Sequence, residues 1–153
     1  MSAHVIGRYI SMSSEFTIAH ALHDAWGAVE RRLNGSLGAV LGITYSEHRL
    51  LEAMGAGGDA GASRVDLAKA VGLTPSAVTR ALRPLTKLGY VTSVAHPRDA
   101  RMSIAKLTPS GEELLKNSTD LLNDVGEQIR EATPSLDQNQ EALVALCRQL
   151  SET

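Results

Sequence analysis

The sequence is poor in cysteine, in aromatic residues and in long apolar runs, and each shortage excludes a class of protein. Cys147 is the only cysteine, so the chain has no internal disulfide and no metal-ligand spacing of cysteines. Aromatic residues make up 3% of a chain that is 43% hydrophobic, which predicts a core of Leu, Val, Ile and Ala. No apolar run approaches the ~18 residues that cross a bilayer, and residues 1–16 lack the features of a signal peptide. We therefore expect a cytoplasmic protein without membrane contacts.

Motifs that carry common enzyme chemistry are also missing. The chain has no glycine-rich phosphate loop, no nucleophile elbow and no metal-ligand set, and its Ser, His and Asp residues show no diagnostic spacing. We therefore expect a protein that is not an enzyme and that needs no cofactor.

Charge is distributed unevenly along the chain, although the net charge is only −2. From Arg64 to Thr108 there are eight basic and two acidic residues, a net charge of +6, whereas the remainder has seven basic and fifteen acidic residues, a net charge of −8. A basic middle third in an acidic chain is typical of a module that binds a polyanion. Charge alone would equally fit a solvated surface, so the interpretation depends on what the basic segment is built into.

The N-terminal third reads as two helices. Apolar residues recur at steps of three and four between Ser14 and Leu37, which predicts a helix with one buried stripe. Thr44 and Glu47 have the spacing of a capping box, which starts a second helix. The glycine-rich stretch from Gly55 to Ala62 predicts a flexible connection after it.

The middle of the chain has the pattern of a helix-turn-helix. Ser63 and Asp66 form a second capping box that opens a short helix, which Gly72 ends. Thr74 is a natural N-cap and Pro75 suits the first position of the helix that follows. A short helix, a tight turn and a proline-led helix together predict this motif.

The second helix of the motif has two chemically different faces. Helical spacing places one set of residues toward the core, namely Val78, Leu82, Leu85 and Leu88. The opposite, solvent-facing set consists of Ser76, Thr79, Arg80, Arg83 and Lys87. Pro84 lacks the N–H that would bond the carbonyl of Arg80, and we expect a bend or a tightened turn there.

A basic hairpin is expected to follow this helix. Gly89 would end the helix in a left-handed conformation. Tyr90 to Val94 and Met102 to Leu107 have the composition of strands, and the turn-forming stretch "AHPRDAR" lies between them. The pattern therefore predicts a two-stranded hairpin with an extended basic tip.

The C-terminal part predicts two further helices with uncovered apolar stripes. Thr108 and Pro109 repeat the cap-plus-proline start, and a long stripe then continues toward Pro134. The final helix carries Leu143, Leu146, Cys147 and Leu150. Because no intrachain layer is large enough to cover these stripes, we expect a second copy of the chain to do so. In that stripe Cys147 is expected to be a buried packing residue rather than a redox switch.

Four stretches, "TPSAVTRAL", "LGYV", Asp99-Ala100-Arg101 and "LTPSG", occur here in an order that resembles the MarR family of winged helix-turn-helix transcriptional regulators. The resemblance extends from about Ser14 onward and is sharpest over residues 73–115. It implies a mainly α fold with a small β wing, with residues 38–107 as the DNA-binding region and residues 1–37 and 108–153 as dimerisation helices. It also implies a homodimer that binds a pseudo-palindromic operator in double-stranded DNA, expected here to be a repressor.

The resemblance implies that helix 76–88 enters a major groove, and side-chain chemistry then suggests individual contacts. Arg80 has the two donors that a guanine edge accepts, and Lys87, about two turns further on, is expected at a phosphate. The other candidates on this element are Thr74 at the helix N-terminus, Ser76, Thr79 and Arg83.

The wing is expected in a minor groove. Arg101 would enter the groove, where the potential is most negative, and Arg98 would supplement it. Pro97 would stiffen the tip, and Asp99 would orient Arg101, as the family motif implies.

Many members of this family respond to small, often phenolic or anionic, ligands, so a small aromatic or anionic effector is an expectation from the resemblance. His20 and Trp26 are the candidate residues for it. His20 and His23 could share a metal ion, but no further ligands accompany them and we expect no metal site. A second interpretation stays open, namely a winged-helix adaptor that binds a ligand or a protein without specific DNA recognition.

Overall fold

A computed structural model describes residues 14–96 and 99–151, apart from the side chains of residues 14, 15, 96, 99–102 and 151. Its helices are α1 (Ser14–Leu41), α2 (Tyr45–Ala56), α3 (Arg64–Val71), α4 (Pro75–Lys87), α5 (Pro109–Ala132) and α6 (Ser135–Ser151), with a 3-10 turn at Gly58–Ala60. Its strands are β1 (Ala62–Ser63), β2 (Val91–His96) and β3 (Asp99–Leu107), which form an antiparallel sheet in the order β1-β3-β2. The predicted fold class, mainly α with a small β wing, is confirmed.

The predicted helix starts at threonine are confirmed. Thr44 forms the full capping box with Glu47, since each side chain accepts from the other residue's backbone N–H. Thr74 accepts from Ala77 N at 3.2 Å, with proline at the start of the helix. Thr108 likewise accepts from the backbone N–H of Gly111 at 3.1 Å. Each cap satisfies a backbone donor that has no partner within its helix.

The glycine-rich connection is more ordered than the sequence predicts. Helix α2 continues through Gly55 to Ala56, and after the 3-10 turn the chain forms β1 along the edge of the sheet. Gly61 has φ +65°, and a Cβ there would lie 2.5 Å from the carbonyl oxygen of Ala105. The absence of a side chain therefore lets this segment approach β3 closely, and the sheet has three strands instead of the two predicted.

The second capping box is only half formed. Ser63 Oγ accepts from Asp66 N at 3.2 Å, but the Asp66 carboxylate accepts from the Ser63 hydroxyl, at 2.7 Å, and not from its backbone. Ser63 also belongs to β1, where it pairs with Ile104. The predicted stop of α3 is confirmed, because Gly72 has φ +70° and its N–H bonds Ala68 O.

The two strands of the wing hairpin are longer than predicted. Strand β2 extends to His96 and β3 begins at Asp99, so Asp99 and Arg101 lie on a strand by their backbone and not in an extended turn. The pairing of β2 with β3 shifts register between Ala95 and His96. Pro97 and Arg98 lie outside the described residues.

The core is centred on the winged helix-turn-helix, with contributions from α1 and α5, and it is aliphatic, as the composition predicts. Leu37 of α1, Leu50 of α2, Val78 of α4 and Leu114 of α5 are among the residues of one buried cluster. Helix α4 continues through Pro84 to Lys87.

The expectation that Leu88 faces the core is wrong. Leu88 is 64% exposed because α4 ends at Lys87, so Leu88 caps the helix and Gly89, with φ +81°, turns the chain away. In the single chain Cys147 and its apolar neighbours on α6 are exposed, because no other element of the described chain covers that face. Burial of Cys147 against a second copy stays a prediction.

Candidate nucleic-acid interface

Helix α4 presents a polar face to solvent, as predicted. Its buried side is formed by Val78, Leu82 and Leu85, each at most 4% exposed. The outward residues Ser76, Thr79, Arg80, Arg83 and Lys87 are all exposed. Burial therefore orients the helix, since rotation about its axis would expose the aliphatic stripe.

The hydroxyl groups at the start of α4 are partly engaged by the helix itself. Thr74 Oγ1 lies 3.0 Å from Ser76 Oγ and serves as the N-cap. Thr79 Oγ1 donates to Pro75 O at 2.9 Å, so its proton is used within the helix and its oxygen is left as an acceptor. The long cations of the same face, Arg80 and Arg83, make no hydrogen bond within the described part of the chain. They are therefore the strongest donors on this surface.

The distribution of ion pairs also indicates that the cations of α4 are available to an external partner. Among the described side chains, ion pairs form at Arg49 with Glu52, at Lys116 with Asp120, and at Arg130 with Glu127 and Asp137. These pairs lie on α2, α5 and α6, and within the described residues none involves a cation of α4. Cations that are not paired with an acidic side chain remain available to attract an external anion.

The base of the wing is attached to the end of α4. Tyr90 N donates to Leu85 O at 2.9 Å, and Tyr90 O accepts from Thr108 N at 3.0 Å. Thr108 Oγ1 also donates to Gly89 O at 2.6 Å. These bonds join the last turn of α4 and the start of α5 to Tyr90, the residue that precedes β2. The wing and the polar face of α4 are thus parts of one continuous unit.

An aromatic row runs from α1 toward α5. The ring of Trp26, which is 47% exposed, lies 5.8 Å from that of Tyr45, and Tyr45 stacks on His48 at 6.2 Å. His48 Nδ1 is 2.8 Å from Ser118 Oγ, and Leu115 O also lies within hydrogen-bond distance of the Ser118 hydroxyl. His48 Nδ1 and Ser118 Oγ are hydrogen-bonded to each other, and the tautomer of His48 decides which of the two is the donor.

Burial lowers the pKa of His48, and Arg49 acts in the same direction while Glu52 opposes it. Of this row only Trp26 was predicted from the sequence. Tyr45 meets Trp26 through packing of α2 on α1, and His48 meets Ser118 through packing of α2 on α5. His20 is not part of this row; its ring instead lies 4.9 Å from that of Phe16. Within the described residues, no group of three His, Cys, Asp or Glu side chains could hold a metal ion.

None of the described helices is long and apolar enough to cross a membrane.

The chain is similar to known proteins in sequence over its middle part and in fold over most of its length. Residues 41–102 match the sequence model of the MarR family. Sco3205, a MarR family transcriptional regulator from Streptomyces coelicolor solved in complex with DNA, superposes with a TM-score of 0.81 at 24% identity, over 92% of this chain and 88% of that one. The transcriptional regulator BldR from Sulfolobus solfataricus gives 0.79 at 22% identity, over 94% and 99%.

A third solved structure concerns regulation by a small molecule. It is BpsR from Bordetella bronchiseptica, described with a mechanism by which 6-hydroxynicotinic acid regulates its DNA binding, and it gives a TM-score of 0.75 at 21% identity, over 88% of this chain and 98% of that one. No curated protein matches the chain. The winged-helix fold and the resemblance noted from the sequence are both confirmed.

Proposed function

We propose, from the match of residues 41–102 to the sequence model of the MarR family, that the protein is a homodimeric, DNA-binding transcriptional regulator that recognises a pseudo-palindromic operator. The observation that carries the proposal is the outward face of α4, whose cations have no described intramolecular partner although the chain as a whole is acidic. Because the wing is hydrogen-bonded to the end of the same helix, both elements would meet one duplex together.

In this proposal α4 lies in a major groove. Arg80 donates two hydrogen bonds to a guanine edge, and Arg83 contacts a base or the backbone. Lys87, at the helix end, neutralises a phosphate, and the capped N-terminus at Thr74 lies near another. Arg98 and Arg101 of the wing enter the adjacent minor groove, with Asp99 orienting Arg101.

The proposed dimer uses the terminal helices, residues 1–37 and 108–153. Support comes from the apolar residues that the single chain leaves exposed on α6, namely Leu143, Val144, Leu146 and Leu150, and from Ile18 on α1. Such a surface is costly in water and is covered when two copies pair. A two-fold axis would then space the two α4 helices for successive major grooves, about 34–36 Å apart.

Repression released by a small aromatic or anionic effector completes the proposal. An effector that prefers a dimer with wrongly spaced α4 helices would weaken operator binding by at most its difference in affinity for the two states. The regulation described for BpsR by 6-hydroxynicotinic acid supports an effector of this chemical class. Trp26 remains the candidate contact, and His20 remains a second one although it lies apart from the aromatic row.

Selection of duplexes from a random pool tests the proposal directly. We expect enrichment of an inverted repeat, because a two-fold dimer contacts two equal half-sites. Arg80→Ala should relax the preferred base at one position of each half-site and weaken binding by about 1–3 kcal/mol for each guanine that Arg80 reads. Lys116→Ala removes an exposed cation that is paired with Asp120 on α5, and it should leave affinity within about twofold. A pool that shows no enrichment would favour the winged-helix adaptor instead.

A further inference from the structure

Arg64 connects the helix-turn-helix to the wing through its side chain. It is the first residue of α3, and its Nη1 donates to Oγ of Ser103 on β3. Its Nε is buried and has no hydrogen-bond partner in the described part of the chain. A guanidinium is a rigid, planar donor that stays charged, so a bond from it fixes direction as well as distance. This contact joins two elements that the sequence analysis treated separately.

The register of the sheet explains why Arg64 reaches this position. Ala62 pairs with Ala105 and Ser63 with Ile104. The next antiparallel pair would set residue 64 opposite residue 103, but backbone pairing stops because the chain enters α3 at Arg64. The side-chain bond from Arg64 to Ser103 therefore extends the contact between β1 and β3 by one residue pair.

Beyond Ser103, toward the tip, the described backbone of β3 pairs only with β2, and that pairing is irregular. The register shifts between Ala95 and His96, and an isolated two-stranded hairpin is only marginally stable in water. Strand β1 pairs with β3 at Ala105 and Ile104, which leaves Ser103 as the outermost described point of attachment to the helical lobe. The pose of residues 99–102 relative to α4 would be weakly determined without that attachment.

We propose that Arg64 is a positioning residue for DNA recognition: by holding Ser103, it fixes the segment of β3 that carries Arg101 relative to α4. Helix α3 packs against α4, so the bond ties the wing to the element proposed to enter the major groove. This inference rests on the proposed function. If the wing is already fixed in the free protein, less conformational entropy is lost on binding, and the affinity for DNA is higher.

A double-mutant cycle tests the role of Arg64. Arg64→Met keeps a long side chain but removes all donors, Ser103→Ala removes only the acceptor, and Arg101→Ala removes the group to be positioned. Affinity is measured by fluorescence anisotropy on the inverted-repeat duplex enriched by the wild-type chain. We expect Arg64→Met and Ser103→Ala each to weaken binding about tenfold, and less than about twofold when Arg101→Ala is already present, because coupled residues are not additive. Arg64→Lys, which keeps one donor group, should restore part of the affinity.

A second measurement separates positioning from a general loss of structure. In the free protein, hydrogen exchange of the backbone amides of residues 99–103 should become faster in Arg64→Met and Ser103→Ala, while the amides of α2 stay protected. Ser103→Ala carries the comparison if Arg64→Met does not fold. Equal weakening in the presence and absence of Arg101, or unchanged exchange in the wing, would overturn the inference while leaving operator binding by the wild-type chain intact. If the wild-type chain enriches no duplex in the selection experiment, the proposed function is refuted together with this inference.

Discussion

Gly111 is the position where a single methyl group should have the largest effect on stability. A Cβ on Gly111 would lie 2.0 Å from Tyr90 O and 3.0 Å from the carbonyl carbon of that residue, whereas ordinary contacts begin near 3.4 Å. The carbonyl has little freedom to withdraw, because it accepts a hydrogen bond from Thr108 N at 3.0 Å. Gly111→Ala therefore forces the start of α5 away from the base of the wing.

The magnitude follows from the bonds at this junction. Moving α5 by about 1.4 Å weakens the N-cap bond from Gly111 N to Thr108 Oγ1, worth about 1 kcal/mol, and the Thr108 N to Tyr90 O bond, worth about 1 kcal/mol. Crowding in a packed site adds about 1–3 kcal/mol. The better helix propensity of alanine offsets about 1 kcal/mol. We expect a net loss of about 2–4 kcal/mol in the free energy of unfolding.

Gly126 provides a matched control in the same helix. A Cβ on Gly126 meets no atom within 4 Å, so Gly126→Ala should stabilise the chain by about 0.5–1 kcal/mol through helix propensity. Urea denaturation of both variants, at one fixed protomer concentration because dimerisation adds to stability, gives the two values. The reasoning fails if Gly111→Ala unfolds at the same urea concentration as wild type, or if the two variants shift in the same direction.

Three further predictions concern binding, assembly and pH. The logarithm of operator affinity should fall steeply and linearly with the logarithm of salt concentration, because each cation of α4 acts twice in a dimer; a flat response in titrations at several salt concentrations would contradict phosphate binding. Leu146→Asp should convert the dimer to monomers in analytical ultracentrifugation, because it places a charge on an exposed apolar face; unchanged sedimentation would remove α6 from the interface. Burial lowers the pKa of His48 in the folded state from 6.5. As the pH is reduced below 6.5, the unfolded state therefore binds more protons than the folded state, and the free energy of unfolding decreases until the pH is below the folded-state pKa. His48→Gln should abolish that part of the pH dependence in urea titrations between roughly pH 5 and 7, the range in which histidine titrates.

Local sequence signals predicted most of the helices. Thr44, Thr74 and Thr108 mark helix starts through bonds that span only three residues, and Gly72 and Gly89 mark ends through their positive φ. Such signals depend only on residues that are neighbours in the chain, and they can therefore be recognised from the sequence alone. The outward face of α4 was predictable for the same reason, since helical spacing alone separates Arg80 from the apolar stripe.

Contacts between distant segments were not predictable. Strand β1 has only two residues, and it forms because Gly61 allows close approach to β3, which lies far along the chain. The same pairing brings Arg64 to Ser103. The meeting of His48 with Ser118 is likewise a product of α2 packing on α5.

Residue type and spacing along the chain were enough to establish the helical framework, the cationic face of α4 and the resemblance to a family, because each of these is a local property. Folding in three dimensions was needed for the third strand, the true extent of the wing and the bond that joins α3 to it. These features depend on whether segments far apart in the chain can approach closely enough to pair, which is settled by backbone register and by the space that a missing side chain leaves.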